Sequence, residues 1–131
     1  MSGSPASDTQ GFDALYGLEL TECSSERVRG RVPVRDDLRR DGGLVHGGVY
    51  AALADALAIR GTASEVAGQG KLAVSLATHS SVQHPISDGA MHASALRRHR
   101  GRTTWVWEVE IADDAGRVCV VARVTVAVRE R

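Results

Sequence analysis

The run GLVHGGVYAALADALAIRG, residues 43–61, limits what this chain can fold into more than any other segment. Val49, Tyr50, Ala51, Ala52, Leu53, Ala54, Ala56, Leu57, Ala58 and Ile59 leave no polar face on a 3.6-residue period, and a helix apolar all round is buried on all sides. The pattern predicts a helix from about Gly47 to Arg60, with Gly61 as its C-terminal cap. Asp55 lies in the middle of that run. A carboxylate there is costly to desolvate and lowers helix propensity, so packing gives little reason for it. A buried cap or an ion pair with Arg60 is the structural alternative to a catalytic role.

A helix buried all round needs layers to bury it, and the rest of the chain supplies strands. In Arg27–Arg35, Val28, Gly30, Val32 and Val34 alternate with Arg27, Arg29, Arg31 and Arg35, the period of a half-buried strand. Asp36, Asp37, Gly42 and Gly43 form a loop before the helix. Four strand-like runs follow it: Leu72–Gln83, Ala90–Arg98, Thr103–Ala112 and a run carrying Val118, Val120, Ala122, Val124, Val126 and Val128 on one face. Short turns such as Asp113–Gly116 join them. Upstream, Phe12–Leu18 reads as a short amphipathic helical turn and Glu19–Cys23 as the lead into a first strand. The order predicts an α+β fold, an antiparallel sheet wrapped around one long central helix. One such layer leaves helix surface uncovered, so association of chains is expected.

A length of 131 residues fits a single domain, here residues 12–131 behind a flexible tail of residues 1–11. The tail is small and polar, unlike a signal peptide or a membrane span. Sixteen basic and sixteen acidic residues cancel, so overall charge points to neither nucleic acid nor membrane. Cys23 and Cys119 match neither a metal spacing nor a disulfide framework, and a reduced cytoplasmic protein is the expectation. His79 and His84 are five residues apart on one predicted strand, and His92 and His99 seven, so parity sends each pair to opposite faces. No metal site is expected, and Cys119 on its valine-rich strand reads as a buried, inert thiol.

His46, Gly47 and Gly48, followed by an acid nine residues after the histidine at Asp55, resemble the signature of hotdog-fold acyl-CoA thioesterases, a likeness covering nearly the whole chain from Leu18. Within that family, residues 43–55 and the run TTWVWEVEIADDAGRVC at 103–119 are most similar to the 4-hydroxybenzoyl-CoA thioesterases, although those look to carry Glu where this chain has Asp55. Phenylacetyl-CoA types use Asp. The resemblance implies a hotdog fold, hydrolysis of an aromatic acyl-CoA with no cofactor, and a homodimer that pairs into a homotetramer. It implies that the Gly47 N–H polarises the thioester carbonyl, with Gly48 allowing close approach. Asp55 is then the nucleophile or the base for a water, and the sequence leaves both open. His46 either shapes the helix start or takes part directly. Ser75 matches a catalytic serine of some Asp-type members, or is a small sheet residue.

Relatives carry Gln or Asn six residues before the histidine to hold the carbonyl or the water; here that position is Arg40. Tyr50 and Ile59, with Leu53, Leu57 and the tryptophans, line an aromatic pocket or belong to the core. The basic hairpin, with Arg98, Arg102 and Thr103, is a candidate for the nucleotide phosphates of coenzyme A, or a solvated turn. His84 stands where relatives have an arginine contacting the nucleotide. Geometry adds a constraint independent of the family. Gly47 and Asp55 are eight residues apart, about 12 Å at 1.5 Å per residue, so one helix does not bring both to one carbonyl. Two helices antiparallel across a dimer interface would, giving composite sites. A hydratase or dehydratase of the same fold, and a non-catalytic acyl-CoA sensor, are the alternative functions.

Overall fold

Valine and arginine alternate where the sheet is half buried, and this period sets the architecture. The structure, a computed structural model, describes residues 9–131. Its elements are helix α1 (Gly11–Leu15), strands β1 (Glu19–Cys23) and β2 (Arg27–Pro33), helix α2 (Gly47–Val66), and strands β3 (Lys71–Val82), β4 (Ala90–Arg100), β5 (Thr104–Ala112) and β6 (Val118–Glu130). The six strands form one sheet in the order β1-β2-β4-β5-β6-β3, antiparallel at every pairing. The sheet curls so that α2 touches all six strands. This is the hotdog fold that the sequence resemblance implies.

The inward faces are the expected ones except at Val118, which a register shift opposite Ile111 and Ala112 leaves 38% exposed. Val28, Gly30 and Val32 of β2 are buried between exposed or half-buried neighbours. Trp105, Trp107, Val109 and Ile111 of β5 are buried, as are Val120, Ala122, Val124, Val126 and Val128 of β6. Against them α2 lays Leu53 and Leu57, both fully buried, each contributing about 1.5–3 kcal/mol by leaving water.

Three local expectations are corrected. The helix does not stop at Arg60: α2 runs to Val66, and Gly61 is buried inside it. A Cβ at position 61 would lie 2.5 Å from Trp107 Cζ2 and 2.8 Å from Val28 Cγ2, so this glycine lets the indole reach the helix backbone. Trp107 Nε1 donates to Thr62 Oγ1 at 2.9 Å beside it. Gly70, with φ of 74° after a 3-10 turn at Ala67–Gln69, supplies the left-handed stop instead. Second, α1 is shorter than expected and is not amphipathic toward the core. It buries none of its own residues, and Phe12 and Leu15 are 64% and 68% exposed. Third, residues 1–8 of the expected tail lie outside the described residues, while Gly11 already belongs to α1.

β3 is the edge strand beyond β6, twelve residues long. Leu72, Val74, Leu76 and Val82 along it are exposed. Among the described residues, no helix is long and apolar enough to cross a membrane.

Candidate active site

The helix N-terminus is set by the loop before it. Arg40 N–H donates to the Leu44 carbonyl at 2.8 Å and Gly43 N–H to the Arg40 carbonyl at 3.1 Å, closing a tight turn. Gly42 and Gly43, at φ of 97° and 88°, take the left-handed conformations this turn needs. His46 N–H donates to the Leu38 carbonyl and Val45 N–H to the Ile86 carbonyl, both at 2.8 Å, so the start of α2 is fixed to two neighbouring segments.

His46 is the N-cap. Its Nδ1 accepts the Gly48 N–H at 2.8 Å, which places the proton of the neutral ring on Nε2. The Val49 N–H goes to the His46 carbonyl at 2.9 Å. Among the described residues the Gly47 N–H donates to no protein acceptor, and both Gly47 and Gly48 are exposed. One unsatisfied amide thus remains at the positive end of a twenty-residue helix, the arrangement that stabilises an oxyanion.

Two turns along the same helix, Asp55 carries the only buried side-chain polar atom among the described residues that lacks a hydrogen-bond partner: its Oδ1. A buried carboxylate oxygen left unbonded costs folding free energy, on the order of 1–3 kcal/mol, so Asp55 is a candidate functional position. Arg60, the structural partner considered for Asp55, pairs with Asp13 of α1 at 3.6 Å. Tyr16 is nearby. Burial, then Asp13, then the charge of Asp55 push its phenol well above the usual range, so Tyr16 stays a neutral hydrogen-bond donor.

The other expected site residues separate. Of the two readings of Tyr50 the structure gives the core one: it is 1% exposed and its hydroxyl accepts the Ile86 N–H at 3.0 Å, so it pins the 84–86 loop to α2 from within the core. Leu53, Leu57, Trp105 and Trp107 are likewise core. Ile59 is partly buried and packs against them. Ser75 pairs in register with Val126, whose side chain is buried under α2, so the serine sits on the helix-facing side of β3 and is exposed. His84 is exposed in the loop after β3, its backbone N–H on the Cys119 carbonyl at 3.1 Å. Arg40 is exposed beside the helix start.

The basic hairpin is split by a β-bulge between Arg97 and His99. Arg98 turns to the outer face and binds Glu108 at 2.6 Å, while Arg123 holds the other carboxylate oxygen at 3.2 Å. Arg98 therefore does not stand with Arg102 as expected. On the helix side Arg97 and Arg100 lie over the Trp105 ring at 5.3 and 5.7 Å, and Arg100 also binds Glu65. Arg102 lines a shallow cavity of about 270 Å³ with Lys71, Gln69 and Arg100. Thr103 is exposed, and its carbonyl accepts the Val128 N–H at 2.9 Å. No sequence signal pointed to Tyr16 and Asp13, because only the fold brings α1 against α2.

Comparison with known proteins agrees with this fold. Residues 42–120 match the family model of the thioesterase superfamily. The chain is 34% identical over 119 residues to a candidate esterase of Mycobacterium tuberculosis, covering 89% of this chain and 85% of that protein. It is 30% identical over 117 residues to the proofreading thioesterase EntH of Cronobacter turicensis, covering 86% and 81%. Among solved structures, a thioesterase of Staphylococcus aureus superposes with a TM-score of 0.86 at 26% identity, covering 89% of this chain and 97% of that one.

Proposed function

The chain belongs to the thioesterase superfamily and is a thioester hydrolase, and from that premise we propose that its substrate is an acyl-CoA, cleaved to a free acid and coenzyme A at sites shared between two subunits. One observation carries the reading: the single uncapped amide at Gly47 shares a helix with a buried, unpartnered carboxylate oxygen at Asp55. The Gly47 N–H binds the carbonyl oxygen as it gains charge in the tetrahedral intermediate. Asp55 either takes a proton from the attacking water or attacks the carbonyl carbon itself. Collapse of the intermediate breaks the C–S bond and the thiolate leaves to take up a proton; on the nucleophilic route this leaves an acyl–Asp55 anhydride, which water then hydrolyses to the free acid and the Asp55 carboxylate.

Spacing supports a composite site. Eight residues of helix put Gly47 about 12 Å from Asp55 along the axis, too far for one carbonyl. The long edge strand β3 exposes Leu72, Val74, Leu76 and Val82 and contains no Asp, Glu or Arg, an edge that a second copy would cover by strand pairing. Pairing there sets two α2 helices against each other, so that Gly47 of one subunit meets Asp55 of the other. Such dimers are expected to associate further into a homotetramer. Arg40 takes the position of a carbonyl- or water-binding amide. The glutamine and the glutamate replaced by alanine in two structures of the S. aureus protein are fifteen residues apart, and so are Arg40 and Asp55 here. Arg102, which lines the cavity beside Gln69, is the better candidate for a coenzyme A phosphate than Arg98, which is already committed to Glu108, while Arg100 and Lys71 beside it are paired with Glu65 and Glu130. An aromatic acyl group is suggested by the likeness of residues 103–119 to the 4-hydroxybenzoyl-CoA enzymes.

The test is thiol release from benzoyl-, 4-hydroxybenzoyl-, phenylacetyl-, hexanoyl- and acetyl-CoA. Turnover should fall by about 10²- to 10⁴-fold in Asp55→Asn with the dimer intact. Hydration of an enoyl-CoA without thiol release would mark a hydratase, and saturable binding without turnover a sensor.

A further inference from the structure

A groove of about 490 Å³ runs between α1 and the first turns of α2. One end of it is formed by His46 and Gly48, beside the free Gly47 amide, and its walls include Val49 and Ala52 of α2 and Phe12 and Leu15 of α1. Helix α1 has only five residues and buries none of them, yet it is tied down at several points. Asp13 pairs with Arg60 at 3.6 Å. The Tyr16 hydroxyl, which follows α1 directly, lies 3.4 Å from both the Asp13 carboxylate and the Ala52 carbonyl. Arg35 Nη2 donates to the Leu15 carbonyl at 2.6 Å and so closes the C-terminal end of the helix.

These ties have a consequence for the two apolar side chains. Phe12 is held edge-on by Tyr16, with ring centroids 5.4 Å apart and planes at 62°, while 64% of it stays exposed. Leu15 is 68% exposed. A short helix fixed by polar contacts at its edges, with its large apolar residues held over a groove, is a preformed apolar wall. The cations at the rim are already engaged: Arg35 with Leu15 and Asp37, Arg39 with Asp36 at 2.6 Å and the Ser87 carbonyl at 2.9 Å. The groove therefore offers its occupant apolar contact and no free charge from these arginines.

We propose that α1 is one wall of the acyl site and that Phe12 and Leu15 select the acyl group, favouring a ring or a medium apolar chain over acetyl. This rests on the thioesterase reading, because the groove matters to specificity only if the thioester carbonyl sits at the Gly47 amide. The ring or chain then lies between the two helices and covers the Phe12 and Leu15 faces as it leaves water.

The experiment compares wild type with the Phe12→Ala/Leu15→Ala double variant. Both positions are exposed, so the variant is expected to keep its fold and its sedimentation coefficient. Binding of S-benzyl-coenzyme A, a thioether that cannot be hydrolysed, should weaken about tenfold relative to binding of free coenzyme A. The ratio of kcat/KM for hexanoyl-CoA to that for acetyl-CoA should fall by about the same factor. Equal weakening for the thioether and free coenzyme A, no weakening, or no binding by wild type would overturn the proposal. Dissociation of the dimer in the variant would overturn it too, because a second copy would then be what covers these residues. Weakened thioether binding in a protein that hydrolyses none of the acyl-CoAs would keep the groove assignment and reject the acyl-CoA hydrolase reading. Hydrolysis with an unchanged ratio would do the reverse.

Discussion

Asp55 costs the fold something. Its Oδ1 is buried without a partner, and aspartate is a poor residue for the middle of a helix. Asp55→Ala removes both penalties, so it should raise stability by about 1 kcal/mol while abolishing turnover. Chemical denaturation of the two proteins at equal concentration measures the difference, and a loss of stability would mean that Asp55 is structural. The acid was legible in the sequence because an ionisable group inside a run with no polar face violates the local rule, and such violations collect at functional sites. His46 was legible as a position, but its role was open. The 2.8 Å bond from the Gly48 N–H to Nδ1 makes it a cap, which only backbone geometry reveals. Tyr50 was open between a pocket and the core, and the structure spends its hydroxyl on the Ile86 amide inside the core.

At the scale of elements, strand order and inward faces were readable because a period of two is a local property. The end of α2 was not. Gly61 has the composition of a cap and the environment of a notch, and the difference lies in Trp107, far along the chain on β5. Gly61→Ala should gain about 1 kcal/mol in helix propensity and lose more to the clash with Trp107 and Val28, for a net loss on the order of 1–2 kcal/mol. A raised melting temperature would return Gly61 to the role of a tolerated helix glycine. The split of the basic hairpin was hidden for a related reason, since the bulge between Arg97 and His99 breaks the alternation that a reader of sequence assumes. It sends Arg98 to Glu108, whose carboxyl is held below its ordinary range first by the hydrogen bond from Arg98 and then by that from Arg123. Because this acid is depressed in the folded state, its contribution is complete above the carboxylate range of the unfolded chain and is lost as pH falls through the lower folded value. Melting temperatures of wild type and Glu108→Gln should therefore differ at pH 7 and converge toward pH 3; a constant gap would contradict the linkage.

For the whole molecule, the proposed composite site turns on distance, because Gly47 and Asp55, the two groups assigned to the chemistry, lie about 12 Å apart along one helix. Gly47 is the first residue of α2, preceded by His46 in an extended conformation at φ of -63° and ψ of 136°. Proline is tolerated at that position and after that conformation, so Gly47→Pro removes the N–H and leaves the helix intact. Gly47→Pro and Asp55→Asn should each be inactive as homodimers. In a heterodimer with composite sites, one site combines both defects, while the other combines the native Gly47 of the Asp55→Asn chain with the native Asp55 of the Gly47→Pro chain. Equal mixing and subunit exchange would make half the dimers mixed, each with one working site of two, and restore about one quarter of wild-type turnover. Sites contained within one subunit would stay inactive at every mixing ratio. The same experiment bears on the edge strand, because recovery depends on exchange through the interface. Slowing that exchange by cross-linking the homodimers before mixing should leave both preparations inactive, tying the recovered turnover to the new pairing of helices and to no trace of wild-type chain.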